Sequence, residues 1–189
     1  MAETLLEIKN LNIDYPINIG TVRAVENVSV ELKKGEALGL VGESGCGKSS
    51  LAKTLLRVLP RNVEECTGKV WLDGQEVMHL SEEQFRQQVR WTQISMVMQA
   101  AMNALNPVVR VGEQVAEPLR EHQGWSDEQA SQRAADVFQL VGIPQDFLQR
   151  YPFELSGGMR QRAVIAMALV ADPKLVILDE PTSALFGLD

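Results

Sequence analysis

Nine consecutive residues constrain this chain more than any others: Gly42-Glu43-Ser44-Gly45-Cys46-Gly47-Lys48-Ser49-Ser50. From Gly42 to Ser49 they match the phosphate-binding loop pattern G-x-x-x-x-G-K-[ST]. The spacing follows from chemistry. A polyphosphate needs several donors converging on a small volume. Backbone N–H groups supply them where the loop wraps tightly, and Gly42, Gly45 and Gly47 allow that. Lys48 brings a full positive charge to the outer phosphates, and the Ser49 hydroxyl suits Mg²⁺. Residues 50–56 read as a helix whose N-terminus points its dipole and free N–H groups at the same anion. Ala37-Leu38-Gly39-Leu40-Val41 precedes the loop. This apolar run predicts a buried strand. Strand, loop and helix thus stand in the order the motif requires. A lysine aimed into a tight glycine turn has little structural use, which argues against a turn that binds nothing.

The 189 residues are enough for one domain with an inserted subdomain. A fold of that size buries roughly 70% of its extended-chain surface, enough for a real core. The net charge of −7 argues against nucleic-acid binding through a broad basic surface. No apolar run has the length of a membrane span, and the N-terminus lacks a signal-peptide pattern, so a soluble chain is expected. Cys46 and Cys66 do not form a disulfide framework, and no Cys/His spacing supports a metal site.

Residues 5–15 alternate apolar and polar, with Leu6 and Ile8 on one face and Leu11, Ile13 and Tyr15 continuing after a phase slip. They read as a strand ended by Pro16. Residues 22–32 form a second such run, turned by Lys33-Lys34-Gly35, so an antiparallel pair leads into the phosphate loop. Tyr15 has two readings, an aromatic of the sheet or a platform for a stacked adenine. Residues 68–74 predict another short strand. Ser81-Glu82-Glu83-Gln84 is a capping box that starts a helix carrying Phe85 and Val89. Residues 94–98 predict a strand ending at Gln99, followed by an apolar loop over 100–107. Residues 111–151 are helical in pattern, with a second capping box at Ser126-Asp127-Glu128-Gln129 and Gly142 as a stop. This stretch predicts a helical subdomain inserted between strand-rich segments. His79 and His122 stand alone and read as surface residues.

Two further stretches carry chemistry. Leu155-Ser156-Gly157-Gly158-Met159-Arg160-Gln161-Arg162 sets two glycines ahead of a helix predicted over 161–170. A small-residue helix start is an anion site, though Ser-Gly-Gly there is often only a cap. Leu175-Val176-Ile177-Leu178 predicts a buried strand, and Asp179 and Glu180 stand at its C-terminal edge, where open α/β sheets bind ligands. Asp179 suits a Mg²⁺ position. Glu180 suits a general base or a water-positioning group.

A phosphate loop, a glutamine after a strand, Leu155 to Arg162, then an apolar strand ending in Asp-Glu together resemble the nucleotide-binding subunit of ABC transporters. The stretch from Leu155 to Arg162 is the most specific item. Arg23-Ala24-Val25-Glu26-Asn27-Val28-Ser29, residues 39–49 and Ala104-Leu105-Asn106-Pro107 resemble the ATPases of dipeptide and oligopeptide importers, with nickel importers close by. The resemblance implies an α/β P-loop NTPase of ABC ATPase type. It would have an N-terminal antiparallel β subdomain, a RecA-like core over 1–98 and 163–189, and a helical subdomain with the signature over 99–162. Its implied function is to bind and hydrolyse ATP and so power an importer of di- or oligopeptides. Tyr15 would stack on adenine. Gly42, Glu43, Ser44, Gly45, Cys46, Gly47, Lys48, Ser49 and Ser50 would wrap the phosphates. Ser49, Gln99 and Asp179 would hold Mg²⁺. Glu180 would polarise the attacking water, with Lys48 and Gln99 assisting. Ser156, Gly157 and Gly158 would contact the γ-phosphate held by a second ATPase subunit, identical or not. The remaining implied partners are membrane-embedded permease subunits and, indirectly, a substrate-binding protein, with the chain peripheral on the cytoplasmic face of the inner membrane and no nucleic acid involved.

The sequence departs from the family after Pro181-Thr182-Ser183-Ala184-Leu185, where Phe186 replaces an aspartate. The family's next strand and a histidine at the γ-phosphate do not follow. Each buried backbone group left unpaired by a missing strand costs about 1–3 kcal/mol, against net stabilities of about 5–15 kcal/mol. The expectation is a shortened version of a longer ATPase, with the C-terminal part of the core missing and an aggregation-prone or molten state when folded alone. Two alternatives to the importer remain: a module that binds ATP without productive hydrolysis, and an ABC ATPase outside transport. The lack of a coiled-coil insertion and of a tandem domain argues against the latter.

Overall fold

The phase slip in the first strand is the feature from which the N-terminal sheet is built. A computed structural model describes residues 3–60, 62–99 and 101–180. Strand β1 (Thr4–Pro16) pairs antiparallel with β2 (Thr21–Lys33) and with β3 (Glu65–Leu72), which carries the short β4 (Gln75–Glu76), giving the order β2-β1-β3-β4. Between Ile8 and Leu11 the register shifts, and Asn10 adopts φ 51°. This bulge inserts the residue that moves Leu11 and Ile13 onto the buried face. The Asn10 side chain donates to Asn27 Oδ1 at 2.8 Å, tying the bulge to β2. Gly68 on β3 faces the same place with φ 117°, where an added Cβ would come 2.7 Å from the Leu11 Cα. Only glycine lets the neighbouring strand close on the bulge.

The chain divides into two compact units, residues 1–86 and residues 87–189. In the first, Leu6, Ile8, Leu11, Ile13, Val70 and Leu72 line the sheet's buried face. Helix α1 (Lys48–Leu55) turns Leu51, Ala52, Thr54 and Leu55 inward. Arg57, two residues past that helix, holds its end in place. Its guanidinium donates to the carbonyls of Leu80 at 2.8 Å, Val77 at 2.7 Å and Met78, and lies 4.5 Å from the Phe85 ring centroid. The Ser81 capping box forms as expected, with Gln84 N–H donating to Ser81 Oγ at 3.2 Å and Ser81 N–H to Gln84 Oε1 at 2.9 Å, and opens α2 (Glu82–Gln88).

One expected element is missing. Residues 37–41 join neither sheet, and Leu38, Leu40 and Val41 are 52%, 49% and 98% exposed. An apolar run becomes a buried strand only where neighbours bond its backbone, and none among the described residues does. The backbone there meets water, so the cost falls on exposed apolar side chains rather than on orphaned buried amides.

In the second unit β5 (Ile94–Val97) pairs in parallel with β6 (Leu175–Leu178), register Ile94↔Leu175 through Val97↔Leu178. Strand β6 forms where expected but is half-buried, and Leu178 is exposed, because β5 is its sheet partner among the described residues. A short 3₁₀ turn over Ala101–Asn103 starts the loop after β5. Helices α3 (Val111–Gln123), α4 (Asp127–Leu140) and α5 (Gly157–Leu169) surround a core that contains Leu119, Phe138 and Ile143. Val111, Val115 and Leu119 fall on one stripe of α3. The small Ala130, Ala134, Ala163 and Ala166 let the helices approach closely. The second capping box forms between Ser126 and Gln129. Gly142 follows α4 at φ 70°. Helix α5 starts four residues earlier than the expected residue 161, at Gly157, because Ser156 Oγ accepts from Met159 N–H at 3.3 Å and caps it there. Its C-terminal carbonyls are met by Arg133 Nε, to Val170 O at 3.2 Å, and by Gln123 Nε2, to Ala171 O at 3.0 Å. The expected departure at Phe186 lies outside the described residues.

Candidate functional site

The glycine loop is shaped by a strand that lies far from it in sequence. Gly47 is the N-cap of α1 with φ 94°. A Cβ there would sit 2.2 Å from the carbonyl oxygen of Ala24 on β2. The strand backbone therefore presses against the loop at its one glycine that has no alternative. The helix starts at Lys48, two residues ahead of the expected Ser50. The Lys48 ammonium donates to Gly42 O at 2.8 Å and Glu43 O at 2.7 Å and lies 3.5 Å from Cys46 Sγ. The cation thus occupies the ring of loop carbonyls that its own motif makes. Residues 42–46 are exposed, and Gly47, Lys48, Ser49 and Ser50 are half-buried at the head of the helix.

Tyr15 reaches the same helix. Its hydroxyl donates to Ser50 Oγ at 3.2 Å, across a sequence separation of 35. Beside it Asp14, buried in the sheet, accepts from Arg23 Nε at 2.9 Å and Nη2 at 3.1 Å. The Arg23 hydrogen bond, aided by its charge, holds the Asp14 carboxyl below the usual carboxylate range, against the opposing effect of burial. The pair ties β1 to β2 immediately before Tyr15. Burial, partly offset by a hydrogen bond with Thr54, pushes the Cys66 thiol up.

Gln99 and Glu180 meet in the second unit. The β5–β6 ladder continues through Asp179 N–H to Val97 O at 2.9 Å, so both chains leave the sheet at one edge. Gln99 Nε2 then donates to Glu180 Oε2 at 2.6 Å. Glu180 has φ 51°, a left-handed conformation that costs a glutamate energy and turns the chain sharply at the strand end. Asp179 is half-buried and Glu180 exposed.

Ser156, Gly157 and Gly158 form the first turn of α5. Arg160 Nη1 donates to Leu155 O at 2.6 Å, and Arg162 Nη1 to Gly142 O at 2.7 Å. These two arginines fix the approach to the turn and join it to the end of α4. The sequence places Arg160, Arg162 and Arg23 within quoted stretches but reveals none of these contacts, nor those of Arg57. Their guanidiniums serve carbonyls and carboxylates elsewhere in the chain, which no local spacing reveals. The glycines themselves are not needed by packing. A Cβ on Gly158 meets nothing within 4 Å, and one on Gly157 meets only Arg160 Nη2 at 4.0 Å.

Ser49 in the first unit and Gln99 and Asp179 in the second each carry a side-chain oxygen, the atom type a hard cation such as Mg²⁺ takes. Among the described residues no group of three or more His, Cys, Asp or Glu side chains could hold a metal. His79 lies 3.6 Å from Glu76, and His122 stacks on Trp91 at 6.4 Å between ring centroids.

A loop of backbone donors at a helix head, a lysine poised among them, and an apolar strand ending in paired carboxylates define the nucleotide-binding P-loop class. Within it, residues 25–183 match the ABC transporter family, and the chain belongs to that family. It is 46% identical over 186 residues to the dipeptide transport ATP-binding protein DppD of Lactococcus lactis, covering 97% of this chain and 53% of that protein. It is 44% identical over 184 residues to the oligopeptide transport ATP-binding protein OppD of Bacillus subtilis, covering 96% and 51%. The chain thus spans about half the length of the curated relatives it matches. Its fold resembles the ATP-binding cassette MJ0796, solved as a dimer in a post-hydrolysis state with ADP and Pi. The TM-score is 0.82 at 28% identity, over 95% of this chain and 75% of that one.

Proposed function

We propose that this chain is the ATP-binding and ATP-hydrolysing portion of a subunit that powers a peptide importer. The observation that carries the reading is the Lys48 ammonium held by the Gly42 and Glu43 carbonyls at the head of α1. Nothing in packing calls for a cation there, and a polyphosphate supplies stronger acceptors than two carbonyls. Lys48 turns from those carbonyls to the outer phosphates, and the amides of 42–50 donate to the rest. Tyr15, on the strand flanking the loop, stacks on the base. Ser49, Gln99 and Asp179 would hold Mg²⁺, which would supply charge neutralisation for the transferred phosphoryl group. Glu180 accepts a hydrogen bond from the attacking water and orients it.

Ser156, Gly157 and Gly158 complete the site of a second ATPase subunit. Two glycines kept where this chain would accommodate larger residues support a surface reserved for a ligand from outside. The relatives' names support di- or oligopeptides as cargo, chosen by permease and binding protein. Among the described residues no helix is long and apolar enough to cross a membrane. Attachment at the cytoplasmic face then comes through the permease subunits.

The test is phosphate release by the chain reconstituted with its permease subunits in vesicles, with and without peptide. Turnover that disappears in Glu180→Gln, while ATP stays bound, supports the reading; undiminished turnover in that variant removes Glu180 from its role. A second reading, binding without turnover, is favoured by the exposed and unpaired 37–41 segment next to the loop. ATP binding with no phosphate release under any condition selects it.

A further inference from the structure

The hydrogen bond from Gln99 to Glu180 engages two groups that the proposed reaction needs elsewhere. We infer that it is a resting latch: Gln99 holds the Glu180 carboxylate while no nucleotide is bound and gives it up when Mg²⁺-ATP arrives. This rests on the ATPase reading of the same residues.

The contact runs from an amide nitrogen to a carboxylate oxygen at 2.6 Å, with the ionised acceptor that strengthens such a bond. A carboxylate cannot donate, so the partner atom must be the amide NH₂, which leaves Gln99 Oε1 free of this bond. Glu180 Oε2 in turn spends an acceptor position that an attacking water would use. The arrangement is built by the fold. The parallel register Val97↔Leu178 and the ladder bond from Asp179 N–H to Val97 O bring residues 81 apart to one edge. The left-handed turn at Glu180 is an energetic cost retained at that position. One ligand event then performs two tasks. Drawing the Gln99 amide away would vacate the Glu180 Oε2 acceptor position it fills, so that position is open to the attacking water only when the metal and its phosphate are in place.

The experiment is a double-mutant cycle on the full chain, using Gln99→Met and Glu180→Met and reading the unfolding equilibrium by denaturant titration. Without nucleotide, the two changes should couple by about three- to tenfold in the folding constant. At saturating Mg²⁺-ATP the coupling should fall to about one. Coupling near one without nucleotide, or unchanged with it, overturns the latch. In the unmutated chain, the side-chain amide resonance of ¹⁵N-labelled Gln99 should move on adding Mg²⁺-ATP and stay in place with ATP and chelator. An amide that does not respond to Mg²⁺-ATP also overturns it. Calorimetric titration of Mg²⁺-ATP separates the two failures. Absent binding removes the ATPase reading and the release step with it, whereas binding without loss of coupling removes the latch alone.

Discussion

Replacing Gly47 by alanine tests whether the loop is shaped by β2. The new Cβ would sit 2.2 Å from Ala24 O and 3.3 Å from Val25 Cγ2, and real Cβ contacts under 3.0 Å are essentially never seen. The gap must therefore open by about 0.8 Å. Left-handed backbone at an alanine costs about 1–3 kcal/mol. Overpacking adds about 1–3 kcal/mol. If nothing yielded, the sum of about 2–6 kcal/mol would be a large part of a net stability of about 5–15 kcal/mol. The loop should yield first. Ala24 sits in the β1–β2 ladder between the paired Arg23 and Val25, whereas 42–46 is exposed. A shift of that size breaks one or two charge-assisted amide–phosphate bonds worth about 1.5–3 kcal/mol each, weakening ATP binding roughly 10–10⁴-fold. Gly45→Ala is the comparison: φ is 81°, but an added Cβ meets nothing within 4 Å. It carries the backbone cost alone and should lose at most about 10²-fold in affinity. Affinity is read by titration of a fluorescent ATP analogue, and stability by thermal melts of the same samples. Gly47→Ala binding as tightly as the parent, or no worse than Gly45→Ala, refutes the reasoning.

Gly158→Ala should melt within about 1 °C of the parent, since nothing in the chain meets the new methyl. Its ATP-dependent pairing, followed by light scattering, should nonetheless be lost, and a variant that pairs normally would remove the signature turn from the interface. Asp14, whose carboxyl is held low by Arg23, contributes stability that is complete above the ordinary carboxylate value of about 3.9 and drains as pH falls toward its lower folded value. Asp14→Asn should therefore melt lower at neutral pH and show a flatter acid limb below about pH 4; parallel curves for parent and variant would sink the assignment. A bulky thiol reagent should label the exposed Cys46 and block ATP binding, and saturating ATP should protect it. Equal labelling with and without ATP, read by mass spectrometry, would count against phosphates lying over this loop.

The features legible in the sequence are those written in short spacings. The Ser81 and Ser126 capping boxes, the slip between Ile8 and Leu11, and the order of apolar run, glycine loop and helix all concern groups a few residues apart. Their backbone consequences follow from local hydrogen bonding and side-chain alternation. Spacing alone could not place residues 37–41 or the exposed edge of β6. An apolar run states a preference for burial, whereas pairing depends on strands supplied from elsewhere.

By itself, then, the sequence determined the phosphate loop, the strand-to-helix order around it and the family to which the chain belongs, because motif chemistry demands particular residue types at particular intervals. The tertiary structure alone decided why Gly47 must be glycine, which carbonyls Lys48 rests on, and that Gln99 meets Glu180. For the Gln99–Glu180 pair the partner comes from a strand register, β6 against β5, and for Gly47 from the β2 backbone packed against the loop. Lys48 instead depends on how its own loop folds back. A register or a loop closure is set by the summed packing of many residues, which no single interval along the chain records.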